Sequence, residues 1–454
     1  MLSIEQSCYW MASSAFEYEP ALEDTQHCEV AIIGGGLTGL WSAVFLREME
    51  PELNIAILEQ GMVGYGGSGR NAGILDVTLD HSHALAISHF GFEEAKKLAR
   101  IGVENIEEML GFLSANQIDC EMERTGRLFV ALTPSQLEDA ARSIEVAQRV
   151  GITGWKLLSA EEIRNEVDSP LYVGGVFAPD AAILNPFKLV QGLKRYLKSR
   201  NVKIYENSPV KKMKAQIMHC DRGTLNARKI IVATDPFTHH LLPKLISRYI
   251  PLYDYILVSE PLSPQQKKAI GWRNRQGITD GRTFFNYYRL TADHRILFGT
   301  SEAMYYPRNR VGPELDHSTF HYEALHDSFI RHFPQLAELQ FPFLWGGPIA
   351  STTRLTPLFG TIENGNVHYA LGYTGHGLGT TRVAGKILAH KTLDRYSELL
   401  DLKMVRQKPF PFPPEPFRSL AVKSVTNSLR RTDSGKEADL ILKILNWMKI
   451  GFSS

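Results

Sequence analysis

The sequence predicts an α/β fold that is interleaved with a second domain built on a mixed or antiparallel sheet. Three observations carry this prediction. An aliphatic run leads into glycines and then into a helical pattern at "AIIGGGLTGL" (31–40), and the same order returns in "YALGYTGHGLGTTRVAGKILA" (369–389). Between them, "GRTFFNYYRLTADHRILFG" (281–299) has the pattern of a β-hairpin with a turn at "TADH". A chain of 454 residues is long enough for two such domains.

The first glycine stretch lies inside a predicted βαβ unit. "CEVAII" (28–33) is rich in apolar and β-branched residues and predicts a buried parallel strand. "LTGLWSAVFLREM" (37–49) places its apolar residues on one helical face, and Pro51 follows the helix. "NIAILE" (54–59) predicts the second strand. This order of elements is the Rossmann type, which binds dinucleotides.

The spacing of four residues in this unit is specific for such a ligand. Gly34 permits the tight turn, Gly36 lets the backbone approach a pyrophosphate, and Gly39 lets helix and strand pack closely. Glu59 ends the second strand about twenty residues after the last glycine, where a carboxylate accepts hydrogen bonds from ribose hydroxyls. A carboxylate would repel a 2′-phosphate, so the sequence predicts a dinucleotide other than NADP.

A second glycine-rich loop, "GMVGYGGSGRNAG" (61–73), follows the second strand directly. Such a loop offers backbone amides, and Arg70 offers a guanidinium, to an extended anion. An NAD domain has no need of this loop. Its presence therefore favours FAD, which combines two phosphates with a large isoalloxazine ring.

Composition excludes several other classes of protein. The 50 Lys and Arg residues nearly balance the 49 Asp and Glu residues, and a net charge of +1 disfavours a nucleic-acid partner. Cys8, Cys28, Cys120 and Cys220 have no CxxC spacing, which predicts reduced thiols. The first twenty residues lack the pattern of a signal peptide, and no apolar run is long enough for a membrane helix. We therefore expect a cytoplasmic protein with no integral membrane segment.

Taken together, the two glycine stretches resemble the D-amino-acid-oxidase-like superfamily of FAD-dependent oxidoreductases, and the resemblance covers nearly the whole chain. Six segments in the same order resemble its gamma-glutamylputrescine oxidase branch: "SCYWMAS", "GYGGSGRNAG", "GRLFVAL", "YYRLTADHRILFG", "HFPQL" and "GYTGHGLG". The resemblance implies a glutathione-reductase-like FAD domain. It also implies oxidation of an amine through FAD with oxygen as the electron acceptor.

The resemblance also implies which residues contact FAD. Residues 372–378 would lie under the pyrimidine edge of the ring, where a helix dipole stabilises negative charge. The backbone of Val210 would contact adenine. The full predicted set is Gly34, Gly36, Leu37, Thr38, Gly39, Glu59, Gln60, Ser68, Gly69, Arg70, Asn71, Ala72, Gly73, Val210, Ala233, Thr234, Gly372, Tyr373, Gly375, His376, Gly377 and Leu378.

Three departures from the superfamily pattern are visible. Arg354, in "WGGPIASTTRLTPLFG" (345–360), stands where many members have an aspartate. Relatives often carry a lysine near the flavin that promotes the reaction with oxygen, whereas "RILFG" is apolar here. Some relatives link the flavin to a cysteine in the C-terminal half, but the last cysteine is Cys220, so we predict noncovalent FAD.

The pattern divides the chain into three parts. We predict a discontinuous FAD-binding domain (27–90, 180–245 and 355–400), a substrate domain (91–179 and 246–354) and a C-terminal extension (401–454). The extension combines a Pro-rich linker (407–417) with a terminal amphipathic helix. The apolar face of that helix packs against its own subunit or a sister subunit, or alternatively contacts a membrane surface; its residues are Leu440, Ile441, Ile444, Leu445, Trp447 and Met448.

Candidate catalytic residues are aromatic or imidazole side chains, because amine oxidation by a flavin needs an oriented, desolvated neutral amine rather than a triad. Tyr287 and Tyr288 alternate along a strand, so one of them faces the pocket. Trp345 and His376 are further candidates. Ordinary packing is the alternative for each tyrosine, and a structural hydrogen bond is the alternative for His376.

Other polar residues leave the substrate open. Arg282, Arg289 and Arg354 are equal candidates for binding a substrate carboxylate. His81 and His83 can approach the flavin, but no third ligand has suitable spacing, so we predict no metal.

The leading hypothesis is an FAD-dependent oxidase of an amine or amino acid, with gamma-glutamylputrescine or a similar N-substituted amine as substrate and hydrogen peroxide as product. The alternatives are an amino or imino acid dehydrogenase with another acceptor and a flavin-binding protein without turnover. The oligomeric state is left open.

Overall fold

The strands form two large sheets and one small two-stranded sheet in the computed structural model, which describes residues 3–433, 435–436 and 439–447. The strands are β1 (Asp24–Ile33), β2 (Ile55–Leu58), β3 (Ile74–Leu75), β4 (Arg127–Ala131), β5 (Lys156–Ser159), β6 (Gly174–Ala178), β7 (Ala182–Ile183), β8 (Lys203–Tyr205), β9 (Lys212–Lys214), β10 (Ile217–His219), β11 (Gly223–Val232), β12 (Ile250–Val258), β13 (Gly277–Asp280), β14 (Asn286–Leu290), β15 (Ile296–Thr300), β16 (Met304–Tyr305), β17 (Phe343–Ser351), β18 (Leu358–Ile362) and β19 (Val367–Leu371).

Helices of four to twenty-four residues connect and cover the sheets. They are α1 (Ile4–Ser7), α2 (Tyr9–Ala12), α3 (Leu37–Met49), α4 (Gly67–Arg70), α5 (His83–Phe90), α6 (Phe92–Ala115), α7 (Pro134–Arg149), α8 (Ala160–Glu166), α9 (Pro186–Ser199), α10 (Thr238–Leu241), α11 (Pro264–Ile270), α12 (Thr319–His332), α13 (Gly377–Thr392), α14 (Lys403–Arg406), α15 (Phe417–Asp433) and α16 (Leu440–Trp447).

The first sheet has the strand order β18-β19-β11-β1-β2-β8, in which the neighbouring strands are parallel except the β18–β19 pair, and β10 and β9 add two antiparallel pairs beside β11. Along β1, Val30 and Ile32 belong to a core that also contains buried residues of α3, α6, α9 and α13. Ala31 and Ile33 face a second core on the opposite side. Burial on both faces explains why the end of this strand, from Val30 to Ile33, is continuously apolar. The predicted βαβ unit is confirmed.

A glycine contact sets the distance between α3 and β1. A Cβ atom at Gly39 would lie 2.1 Å from the carbonyl oxygen of Gly34, so no other residue fits at this position without displacing the helix. Gly34 itself has φ +111°, a conformation that L residues rarely adopt. The start of α3 is therefore held directly beyond the end of β1.

The second sheet has the order β16-β12-β15-β14-β13-β4-β6-β5, with β17 also paired to β12. All pairs are antiparallel except β13–β4. β14 and β15 form the predicted hairpin, with Asn286 opposite Thr300 and Leu290 opposite Ile296. One face packs on α12 in a core that includes Tyr288 and Phe298. The predicted mixed or antiparallel sheet is confirmed.

The strands of each sheet fall within the chain segments predicted for the corresponding domain, apart from the first residues of β1. The domain boundaries themselves stay a prediction. The helix α6, which the prediction assigns to the substrate domain, packs its buried face against α3 and α13 in the core of the first sheet. Asn105 of this helix donates a hydrogen bond from Nδ2 to the Gly379 carbonyl oxygen at 3.0 Å.

The C-terminal extension contacts both sheets: Leu402, Met404 and Val405 belong to the core of the first sheet, and α15 packs beside the second. Arg418 is buried at the start of α15 and donates to Asn309 Oδ1 at 2.8 Å, whereas Asp433 at its end accepts from the backbone amides of Thr283 and Phe284 at 2.7 and 2.9 Å. Within α16, Leu442 is buried. Leu440, Ile441 and Ile444 are exposed, and Met448 lies outside the described residues.

None of the helices that the structure describes combines the length and the apolar character that a membrane crossing requires.

The contact at Gly39 predicts opposite effects for one substitution at two helical positions. Gly39→Ala should lower the thermal midpoint of unfolding, because overpacking costs about 1–3 kcal/mol. Gly111→Ala should raise it slightly, because a Cβ there meets no neighbouring atom and alanine is favoured in a helix by about 0.5–1 kcal/mol. Circular dichroism at one fixed scan rate measures both variants. Equal midpoints for the two would contradict the packing account.

Candidate cofactor and substrate site

A cavity of about 970 Å³ lies between the two large sheets. Its wall includes the carboxyl ends of β1, β2 and β11 on one side and residues of β12, β14 and β17 on the other. The volume is at the upper end of the range for cofactor and ligand pockets. Ligands bind at this edge of open parallel sheets, where the strands end and the helices begin.

The turn between β1 and α3 forms one end of the cavity. Gly34, Gly36, Leu37 and Thr38 all line it. A Cβ at Gly34 would lie 2.4 Å from the carbonyl oxygen of Ala233. The Leu37 amide donates to Ser68 Oγ at 2.8 Å, which joins the helix start to the second glycine-rich loop. The predicted Gly39 does not line the cavity, since it makes the helix–strand contact instead.

Glu59 lies at the end of β2 and lines the same end of the cavity together with Gln60. Its carboxylate accepts from the Gly35 amide at 2.7 Å and from the Gly61 amide at 3.0 Å. Burial raises the pKa of Glu59, and the two amides partly oppose this shift. The remaining lone pairs of a carboxylate held in this way suit the hydroxyls of a ribose. Val210, Ala233 and Thr234 complete this end.

Three side chains fix the backbone of the second loop from behind. The indole nitrogens of Trp345 and Trp10 donate to the carbonyl oxygens of Arg70 and Asn71, each at 2.9 Å. Arg289 Nη1 donates to the Gly73 carbonyl oxygen at 2.7 Å. Ser68, Arg70, Asn71, Ala72 and Gly73 line the cavity, whereas Gly69 packs against Gly64. The loop is therefore positioned by its surroundings before any ligand binds.

The Arg70 guanidinium uses one of its nitrogen atoms for hydrogen bonds within the protein. Its Nη1 donates to Asp316 Oδ2 at 2.7 Å and to the Gly346 carbonyl oxygen at 2.9 Å, and the ion pair is buried. The Nε and Nη2 atoms are buried and have no hydrogen-bond partner among the residues that the structure describes. Unsatisfied donors beside a cavity are what an acceptor on a bound cofactor would satisfy.

The third glycine stretch follows β19. Asp235 accepts from the Gly372 amide at 2.8 Å, and Thr38 Oγ1 donates to the hydroxyl of Tyr373 at 2.8 Å. These bonds tie the turn to β11 and to the start of α3. Gly372 lies behind the wall, whereas the other predicted residues line the cavity: Tyr373, Gly375, His376, Gly377 and Leu378. The N-terminus of α13 thus points at the cavity, where it favours negative charge.

His376 lies against His81, with the ring centroids 4.2 Å apart. Burial lowers the pKa of His376 to about 4 and the pKa of His81 to about 3, so both imidazoles are neutral at neutral pH. His83 is also buried but does not line the cavity.

The two adjacent tyrosines have opposite environments. Tyr287 lines the cavity, and its hydroxyl donates to Asp254 Oδ2 at 2.5 Å. Tyr288 is fully buried on the other face of the sheet, where its hydroxyl is 2.8 Å from that of Tyr172. A catalytic role for Tyr288 therefore has no support from its position. Trp345 lines the cavity with only 1% of its surface exposed.

The sequence did not predict two polar features of the cavity wall. The first is a cluster of Asp76, Arg127 and Thr279. Within it, Arg127 Nη1 lies 2.5 Å from Asp76 Oδ2, and Arg127 Nη2 lies 3.1 Å from Thr279 Oγ1. Asp254 is the other, and burial raises its pKa to about 7. The available signals were a charged residue opening "GRLFVA" and an acid inside the apolar strand "YDYILV".

None of the three arginines proposed for a substrate carboxylate lines the cavity. Arg289 donates to backbone carbonyls, and burial lowers its pKa to about 9. Arg354 donates to the carbonyl oxygens of Gln407 and Met404, both at 3.1 Å. Arg282 forms an ion pair with Asp280. The three candidate arginines therefore have no support from their positions; among the described residues, Arg70 and Arg127 are the arginines that line the cavity.

A family model described as FAD dependent oxidoreductase matches residues 29–391. The chain belongs to this family, and its cofactor is FAD. Three features fit that cofactor: the glycine turn at the start of α3, the Glu59 carboxylate and the unsatisfied donors of Arg70. The predicted superfamily and the predicted cofactor are therefore confirmed.

Individual relatives agree with this assignment. The chain is 29% identical to gamma-glutamylputrescine oxidoreductase of Escherichia coli (strain K12) over 85% of its own length and 88% of that protein. Among solved structures, glycine oxidase from Geobacillus kaustophilus matches with a TM-score of 0.71 at 16% identity. The match covers 84% of this chain and 99% of the glycine oxidase chain. L-proline dehydrogenase from P. horikoshii matches with a TM-score of 0.67 at 18% identity, and the match covers 83% of this chain and 96% of the dehydrogenase chain. The two structures establish the likeness of the fold.

The position of Glu59 predicts a loss of FAD affinity on neutralisation. Glu59→Gln should weaken FAD binding roughly tenfold or more, because a hydrogen bond to a charged group contributes about 1.5–3 kcal/mol. Titration of the apoprotein with FAD, followed by flavin fluorescence, measures the dissociation constant. Glu52→Gln, an exposed residue just before the same strand, is the control and should bind as wild type does. Equal FAD affinities for the two variants would contradict a role for Glu59 in FAD binding.

Proposed function

We propose that the chain uses noncovalent FAD to oxidise the C–N bond of an amine or amino acid, with molecular oxygen as the electron acceptor. In the overall reaction a primary amine, oxygen and water give an aldehyde or keto acid, ammonia and hydrogen peroxide. A secondary amine gives a smaller amine in place of ammonia. The similarity to gamma-glutamylputrescine oxidoreductase supports gamma-glutamylputrescine, or a related N-substituted amine, as the substrate class.

One observation carries this proposal. The cavity continues from the dinucleotide end at Glu59 to a chamber between the His376 turn and the wall that Tyr287 and Trp345 form. When bound, FAD accepts a hydride from the carbon next to the amine nitrogen. The protein then has to orient the amine and exclude water, and the aromatic side chains of Tyr287 and Trp345 on this wall contribute to both.

The residues of the chamber take different roles. Tyr287 offers a hydroxyl that faces the cavity and contacts an acid. His376 is neutral, so it can form hydrogen bonds without adding positive charge beside the ring. Trp345 holds the Arg70 carbonyl group and is a positioning residue as well as part of the wall. Tyr288 has no part in this proposal.

The noncovalent state of FAD has independent support. Cys8, Cys28, Cys120 and Cys220 do not line the cavity. Burial raises the pKa of the Cys120 thiol to about 12 and that of Cys220 to about 11, which keeps both thiols protonated and unreactive.

A dehydrogenase with another acceptor is the second candidate. Leu297 in the predicted "RILFG" strand is fully buried, and Lys211, at the Val210 end, is the lysine that lines the cavity among the residues that the structure describes. A chamber without a lysine favours slow reaction with oxygen.

The cytoplasmic location and the absence of a nucleic-acid partner stay predictions.

Anaerobic reduction tests the proposed function. Adding gamma-glutamylputrescine to the purified holoenzyme without oxygen should bleach the yellow flavin absorbance. Admitting air should restore it and produce one hydrogen peroxide per amine oxidised, measured with a peroxidase assay. Bleaching with slow recovery in air and rapid recovery with a quinone would support the dehydrogenase. A flavin that stays oxidised with this amine, with sarcosine and with glycine would contradict amine oxidation.

A further inference from the structure

Five carboxylates line the cavity, and one of them differs from the rest. Asp76 and Asp316 are neutralised by ion pairs with arginines. Glu59 and Asp235 each accept hydrogen bonds from two backbone amides of other residues. Asp254 accepts only from the hydroxyl of Tyr287 and from the neighbouring backbone amide of residue 255, and within the described ranges it forms no ion pair.

The strand register places Asp254 in the chamber. It pairs with Gly347 of β17, and two residues further along that strand Ile349 pairs with Leu252. A Cβ at Gly375 would lie 4.0 Å from the Cδ1 atom of Ile349, so this part of the strand contacts the turn that precedes α13. Diagonal neighbours on antiparallel strands are about 7–8 Å apart, so Asp254 and Ile349 belong to one stretch of the cavity wall, and both line the cavity.

A missing side chain allows Tyr287 to reach Asp254. β15 lies between the strands that carry these two residues. Residue 299 of β15 is a glycine, and a Cβ there would lie 2.3 Å from Cζ of Tyr287. The tyrosine ring therefore crosses β15 at Gly299, and its hydroxyl donates a hydrogen bond to the carboxylate. The acid is held in one orientation at the cavity surface.

The charges around Asp254 leave its own charge uncompensated. From β14 it faces Tyr287 and from β17 Gly347, whereas on β15 the uncharged Gly299 pairs with Ile256, two residues along β12. The Arg70 guanidinium packs against Gly347, but Asp316 neutralises it. A carboxylate in this setting is complementary to one cationic group of a ligand.

We propose that Asp254 binds the ammonium nitrogen of the substrate and takes its proton, with Tyr287 as the positioning residue. This inference rests on the proposed function, since an alkylammonium has no lone pair to support loss of a hydride from the adjacent carbon. One N–H bond breaks, its electron pair stays on nitrogen, and the proton goes to a carboxylate oxygen of Asp254. The proton returns to solvent when the product leaves.

The sign of the pH dependence follows from this role. Asp254 accepts a proton only when ionised, and burial raises its pKa to about 7. The rate of anaerobic flavin reduction should therefore fall as the pH drops through about 7. His81 and His376 are already neutral in that range. Without Asp254 the amine must lose its proton to water, so the dependence should move toward the pKa of a free alkylammonium, about 10.4.

The test is stopped-flow reduction of the holoenzyme by gamma-glutamylputrescine between pH 5.5 and 9.5. Asp254→Asn should lower the rate constant at pH 7.5 about 100-fold or more and remove the limb near pH 7, because proton transfer by a side chain contributes about 10²–10⁴-fold. Tyr287→Phe should keep that limb but move it to higher pH, because the hydrogen bond from Tyr287 lowers the pKa of Asp254, and it should weaken amine binding several-fold. Asp327→Asn, exposed on α12 behind the sheet, is the matched control and should behave as wild type. The flavin content of each variant reports folding.

A wild-type rate and pH profile in Asp254→Asn would overturn the proposal. If the wild type is not reduced by this amine, the proposed substrate fails, and a second measurement still tests Asp254. Tetramethylammonium chloride, which cannot be oxidised, is titrated into the holoenzyme with sodium chloride as the reference, and the flavin difference spectrum is recorded. Binding to wild type that is at least tenfold weaker in Asp254→Asn supports the cation site. Equal binding, or no binding to either protein, overturns it.

Discussion

The contact between Gly39 and the Gly34 carbonyl oxygen is the constraint on which the rest of the site depends. Because neither position carries a side chain, α3 starts directly beyond the end of β1, and its first amides reach the cavity. Ser68 and Tyr373 hydrogen-bond to that helix start, so the other two glycine stretches are placed relative to it. A displaced α3 would therefore move all three parts of the FAD site.

The second sheet completes the site through buried polar contacts that surround a shared apolar core, in which Ile256, Val258 and Leu297 pack with Met62 and Phe187. Trp345 holds the Arg70 carbonyl oxygen, Asp316 pairs with the Arg70 guanidinium, and Arg289 holds Gly73. Breaking a buried pair by removing one partner costs more than the pair itself contributes, because a charge is left uncompensated. These contacts fix the loop between the two sheets, and residues of the loop line the cavity.

The parts of this arrangement that the sequence predicted are local in sequence. The βαβ unit, the hairpin and the third glycine turn depend on short apolar patterns and turn residues, and all of them form. Tyr287 and Tyr288 show the limit: alternation predicts that one faces the cavity, but only the packing of α12 decides which. Arg289 and Arg354 are candidates for a ligand in the sequence, but their partners in the structure include the backbone carbonyl oxygens of Gly73 and Met404, far along the chain. Asp254 was missed because its surroundings come from β14, β15 and β17.

A crystal structure of the holoenzyme with FAD and a slowly oxidised amine tests the central claim most directly. The account predicts the adenosine ribose at Glu59 and the isoalloxazine ring beside the turn at residues 375–378. It also predicts the amine nitrogen within hydrogen-bond distance of the Asp254 carboxylate, between Tyr287 and the ring. An isoalloxazine ring that lies away from that turn, or an amine nitrogen bound elsewhere in the cavity, would contradict the account.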